Sequence, residues 1–112
     1  MSTSISQQQA LLAIATWSKD KESALRLFLN GEIDDCVSIV VLIEHVITVL
    51  DKAILGLIAL DDLELWATIL ESRPHFKVNQ VEGVIFALAN PAQMGELSID
   101  KLTALKQLMI PH

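Results

Sequence analysis

Apolar residues recur at intervals of three and four along almost the whole chain, a spacing that admits helices and little else. Ile5, Leu11, Leu12, Ile14, Ala15 and Trp17 follow this pattern, with Gln7-Gln8-Gln9 opening the segment and Ser18-Lys19-Asp20-Lys21 ending it. A second helix is predicted from about Glu22 to Asn30, burying Ala24, Leu25, Leu27, Phe28 and Leu29. Asn30-Gly31 stops it, because glycine enters the left-handed conformation after a helix at little cost.

Asp34 or Asp35 then caps the longest element. Its start, Val37-Ser38-Ile39-Val40-Val41-Leu42-Ile43, is β-branched and in isolation would pass for a buried strand. The continuation Glu44-His45-Val46-Ile47-Thr48-Val49-Leu50-Asp51-Lys52 argues for helix by length. Gly56 bends or breaks this helix before Leu60. A helix so apolar on all sides belongs at the middle of a bundle. Asp61-Asp62 opens the next helix, through Leu63, Leu65, Trp66, Ile69 and Leu70, and Ser72-Arg73-Pro74 closes it. Asn79-Gln80-Val81-Glu82 has the form of a capping box for a helix carrying Val81, Val84, Ile85 and Leu88 to Asn90-Pro91. Ser98 caps the last, Ile99 to about Met109, with Leu97 and Leu102 as a hydrophobic staple. The expected fold is all-α: a compact single-domain bundle of about five to six helices with a central apolar helix, spanning residues 1–112.

At 112 residues and 52% hydrophobic content, one core is expected and a second domain is not. Fourteen acids oppose eight Lys and Arg, for a formal charge of −6. Nucleic-acid binding through phosphate neutralisation needs the opposite sign. Cys36 is the single cysteine, so no internal disulfide and no oxidising compartment is implied. Met1 to Gln9 carries no Lys or Arg and no apolar run, unlike a secretory signal. The most apolar window, Cys36 to Leu60, is broken by Glu44, His45, Asp51 and Lys52, whereas a membrane span needs roughly 20 mostly apolar residues. The expected location is the cytoplasm, with no membrane partner.

Residues that could carry chemistry are sparse. Gly31, Gly56, Gly83 and Gly95 are scattered at junctions and form no phosphate loop. His45, His75 and His112 lack partners at zinc-like spacing, and a lone His amid Val and Ile is most simply a helix residue meeting a backbone group or water. Cys36 near a helix start could be an activated nucleophile, but Asp34 and Asp35 oppose its ionisation and a structural thiol is the simpler assignment. Asp61, Asp62 and Glu64 could hold Mg²⁺, yet acids in a first helical turn are equally explained by the helix dipole. No enzyme activity, cofactor or metal is expected.

Charge, by contrast, is unevenly placed. From Glu32 to Glu71 there are nine acids and one base, Lys52, while the remaining residues hold five acids and seven bases. This asymmetry predicts one strongly negative face where Glu32, Asp34 and Asp35 and then Asp61, Asp62 and Glu64 emerge at two helix starts. Such a face either keeps an apolar chain soluble or attracts a basic partner. Trp66, one turn from the second group, is either a binding anchor or a core residue.

Two segments carry a resemblance. Leu25-Arg26-Leu27-Phe28-Leu29-Asn30-Gly31-Glu32-Ile33-Asp34-Asp35 resembles the helix, Gly-Glu-Ile, new-helix segment of small colicin-type immunity proteins. Phe86 to Leu105, FALANPAQMGELSIDKLTAL, is similar to C-terminal segments of helical immunity proteins from contact-dependent inhibition and related bacterial toxin systems. Together they cover 31 of 112 residues. The resemblance implies an acidic, non-catalytic protein that binds a basic, nuclease-type toxin domain and blocks it. The expected toxin-binding residues are Glu32, Asp34, Asp35, Asp61, Asp62, Glu64 and Trp66. The alternative is a helical adaptor or scaffold that self-associates, as a homodimer, or holds a partner through an apolar surface.

Overall fold

The computed structural model describes residues 6–110; Ile5 and His112 lie outside the described residues. Helix α1 (Gln7–Ala15) starts at a capping box that its sequence spells as Ser6-x-x-Gln9. The Ser6 hydroxyl accepts from the Gln9 amide at 3.1 Å, and the Gln9 side-chain carbonyl accepts from the Ser6 amide at 3.2 Å. Helix α2 (Lys21–Leu29) follows and packs against α1.

The run after Asp34-Asp35 departs from expectation. Residues 37–42 are not helical: Ile39–Val40 forms strand β1, which pairs in parallel with β2 (Phe76–Lys77). The Ile39 amide donates to the His75 carbonyl and the Val41 amide to the Lys77 carbonyl, both at 2.9 Å. β-Branched residues suit this extended path, and it carries the fully buried Val41 into the core. Helix α3 (Ile43–Ile54) therefore begins at Leu42 instead of at an aspartate. There His45 Nδ1 accepts the Leu42 amide at 3.0 Å, so the neutral ring carries its proton on Nε2. Nor is α3 apolar all round. It buries Val46, Val49, Leu50 and Ala53 and leaves Ile43, Glu44 and Thr48 exposed, an amphipathic helix packed on α7.

Helix α4 (Leu60–Ser72) starts at Ala59, so Asp61 and Asp62 lie within its first turn and do not cap it. Arg73 turns extended before Pro74, as that proline requires. Helix α5 (Glu82–Ala89) packs on α4. Its entry residue is Val81, and no side chain caps it, so the expected Asn79 box is absent. A four-residue helix, α6 (Pro91–Met94), was not anticipated. The last helix, α7 (Ile99–Met109), has the expected cap: the Ser98 hydroxyl accepts the Lys101 amide at 3.1 Å. Leu102 is fully buried beneath it, and Leu97 packs on the core. The fold is all-α with seven helices among the described residues and a two-stranded parallel ladder. No helix among those residues is long and apolar enough to cross a membrane.

Three helices end in the same way. After α2 and α3 the next residues fold back onto carbonyls of the last turn, through Gly31 (φ +73°) and Gly56 (φ +81°). A Cβ at either glycine would meet nothing beyond its chain neighbours within 4 Å, so the cost of a side chain there is conformational alone. Gly31→Ala and Gly56→Ala are each expected to lower unfolding free energy by about 1–2 kcal/mol, read as a lower urea midpoint with unchanged slope. At the end of α1 the same left-handed position is held by Trp17 (φ +49°). Its amide donates to Ile14 and the next amide to Ala13. Burial of the indole offsets the backbone strain: Trp17 is only 7% exposed.

Candidate functional site: two acidic patches

The turn after α2 orders the first acidic group. Asp34 donates its amide to Gln7 Oε1 at 2.8 Å, and its Oδ1 accepts the Cys36 amide at 2.8 Å. An Asx turn results; the carboxylate expected to cap a helix caps this turn instead. The Cys36 amide and then its thiol hold the exposed Asp34 carboxyl below the ordinary aspartate range. In return, the hydrogen bond and negative charge of Asp34 push the Cys36 thiol above the ordinary cysteine range. Cys36 is exposed yet poorly ionised, the reverse of an activated nucleophile. Asp34→Asn is expected to speed alkylation of Cys36 by iodoacetamide at pH 8 several-fold, measured by intact-mass kinetics on the folded protein. An unchanged rate would show that Asp34 does not control the thiol.

Glu32 borders an open groove of about 890 Å³ between α1 and α2, whose lining includes Leu12, Asp20, Arg26 and Leu27. Asp35 projects fully into solvent, its Oδ1 lying 3.6 Å from Nε2 of the buried His75.

The second group sits elsewhere. Asp61 and Glu64, with Glu96, rim a hollow of about 430 Å³ whose remaining lining is Leu60, Pro91, Ala92 and Leu97. Asp62 is exposed on the same first turn of α4. Its apolar floor and carboxylate rim suit a long cationic side chain, which needs cover for its methylenes and acceptors for its head. Trp66 is not part of this surface. It is 0% exposed, and its Nε1 donates to the Ala15 carbonyl at 3.0 Å, tying α4 to the end of α1.

The two groups do not converge. His75, which Asp35 approaches, follows the C-terminal end of α4, while Asp61 lies in that helix's first turn. Thirteen helical residues separate the ends by about 20 Å. The single negative face expected from the sequence is therefore two patches.

Little of the charge is neutralised internally. Lys106 pairs with Asp51, joining α7 to α3. Lys52, the one base between Glu32 and Glu71, turns inward and donates to the Thr16 and Trp17 carbonyls at 3.1 and 3.3 Å. It thus satisfies the C-terminal end of α1, where a cation is favoured. Among the described residues, no Lys or Arg forms an ion pair with Glu32, Asp34, Asp35, Asp61, Asp62 or Glu64.

Sequence reasoning missed Glu96 and His75 as members of these patches. Glu96 lies far along the chain from α4, and no local spacing points to it. His75 announces itself only by following Arg73-Pro74, which marks a turn and nothing more.

No protein-family model matches this chain, and neither does any curated protein or solved structure compared with it.

Proposed function

We propose that this protein is an immunity protein, binding and neutralising a cognate, basic, nuclease-type bacterial toxin in the cytoplasm through its acidic residues. One observation carries the reading: among the described residues, six carboxylates at two helix-adjacent turns form no ion pair with Lys or Arg, and the one base in their segment caps α1. Carboxylates left unpaired at a surface attract cations and repel like-charged proteins. The resemblance of the segments around Gly31-Glu32-Ile33 and Gly95-Glu96-Leu97 to helical immunity proteins points the same way. The α4 patch is the stronger docking point, since its hollow adds apolar cover to three carboxylates. Affinity capture of the toxin encoded beside this protein's gene tests the reading. Wild type is expected to retain that toxin, and Asp61→Lys/Asp62→Lys to lose it. Equal capture by both would overturn the α4 patch as the docking point.

A second reading rests on a different observation. Leu29, Leu55, Leu57 and Leu108 are each 73–80% exposed, which suits an adaptor or homodimer that shares apolar surface. Salt separates the two. A charge-steered complex loses association rate as salt rises, while an apolar dimer seen by sedimentation does not.

A further inference from the structure

His75 is the one buried polar residue among the described residues, 7% exposed, and neither ring nitrogen has a hydrogen-bond partner. Orphaned buried groups of this kind are costly and rare in native proteins. Its surroundings explain the vacancy. Phe28 of α2 meets the imidazole edge-on with centroids 5.2 Å apart, and Phe76 of β2 lies 6.0 Å from Phe28. These rings offer no acceptor. The charged groups about the imidazole are Asp35 and Asp34 on the turn after α2, and Arg73 at the end of α4. Asp35 Oδ1 lies 3.6 Å from Nε2, a charge on the ring would also attract the Asp34 carboxylate, and the Arg73 guanidinium stands over Phe28 at 5.4 Å.

The separation of 3.6 Å is just too long for a hydrogen bond and would shorten to about 2.8 Å in a charge-assisted one. Asp35 is exposed and free to make that move. We propose that His75 and Asp35 form an acid-operated clasp: a proton on the imidazole draws Asp35 inward and pins the turn 32–36 against the junction of α4 and β2. Acidification then withdraws one carboxylate from the first acidic patch and stiffens the backbone that presents the others. The clasp belongs to the free protein and stands whether or not a toxin is the partner.

Amide hydrogen exchange on the full chain at pH 5.2 and pH 8.0, expressed as protection factors, tests it. Asp34, Cys36 and Val37 donate the amides that hold the turn together. In wild type their protection is expected to rise about three- to fivefold on acidification, the scale of an ion pair with one exposed partner. Asp35→Asn, a change at an exposed side chain that leaves folding intact, is expected to abolish the rise, and His75→Gln likewise. A wild-type protein with no rise, or an Asp35→Asn protein with the same rise, overturns the clasp.

Discussion

Trp66→Ala is expected to remove about a quarter or more of the molecule's stability. The indole is fully buried where α4 crosses the end of α1, so truncation leaves a cavity worth about 3–5 kcal/mol. It also strands the buried Ala15 carbonyl, which accepts the indole N–H, at about 1–3 kcal/mol more. Domains of this size hold about 5–15 kcal/mol in total. Trp66→Phe shrinks the cavity contribution, because a phenyl ring fills part of the pocket while the donor and the rest of the indole are lost. Its cost is expected to be about 1–3 kcal/mol. Leu65, half exposed on the same helix, is the control, and Leu65→Ala is expected to change stability by less than about 1 kcal/mol. Urea unfolding followed by tryptophan fluorescence, from Trp17 in every variant and also from Trp66 in Leu65→Ala, reads all three. A Trp66→Ala protein with an unchanged midpoint that had lost only partner binding would return Trp66 to the surface where the sequence had allowed it.

The same junction shows why some of this fold is legible in the sequence and some is not. Helix boundaries set by local chemistry can be read directly. Ser98 caps α7 through an amide three residues away, Gly31 ends α2, and Pro74 forces Arg73 out of helix. Boundaries set by distant partners cannot. The run from Val37 to Leu42 is extended because Ile39 and Val41 donate to His75 and Lys77, residues with no sequence signal linking them to it. Without that pairing, length favoured one continuous helix through Lys52. Trp17 hides the end of α1 because a left-handed tryptophan is tolerated only when its ring is buried and Lys52 covers the free carbonyls, and both are tertiary facts. The acidic residues themselves were plain, whereas their grouping was not. Counting charges along the chain finds Asp34, Asp35, Asp61 and Asp62 but says nothing of the length of α4 between them.

Inverting the α4 patch has the largest expected effect on association. Each Asp→Lys replacement moves the formal charge by two, taking Asp61→Lys/Asp62→Lys from −6 to −2 and placing two cations beside the hollow formed with Glu64 and Glu96. Electrostatic steering raises association rates by about 10–10³. The double variant is expected to lose most of that factor toward a basic partner and to flatten the dependence of the rate on salt. Both aspartates are exposed, so folding should survive. Their place in the first turn means that lysines oppose the helix dipole by about 0.3–1 kcal/mol each. Asp61→Asn/Asp62→Asn removes the negative charge without adding that opposition, and is expected to show a smaller loss in the same direction. The companion variant Glu32→Lys/Asp35→Lys alters the patch at the far end of α4. Stopped-flow association at two salt concentrations then assigns the docking end: the end that matters loses rate and salt slope together. Undiminished rates in both double variants would mean that the unpaired carboxylates serve solubility alone, and the exposed leucines would become the surface to test.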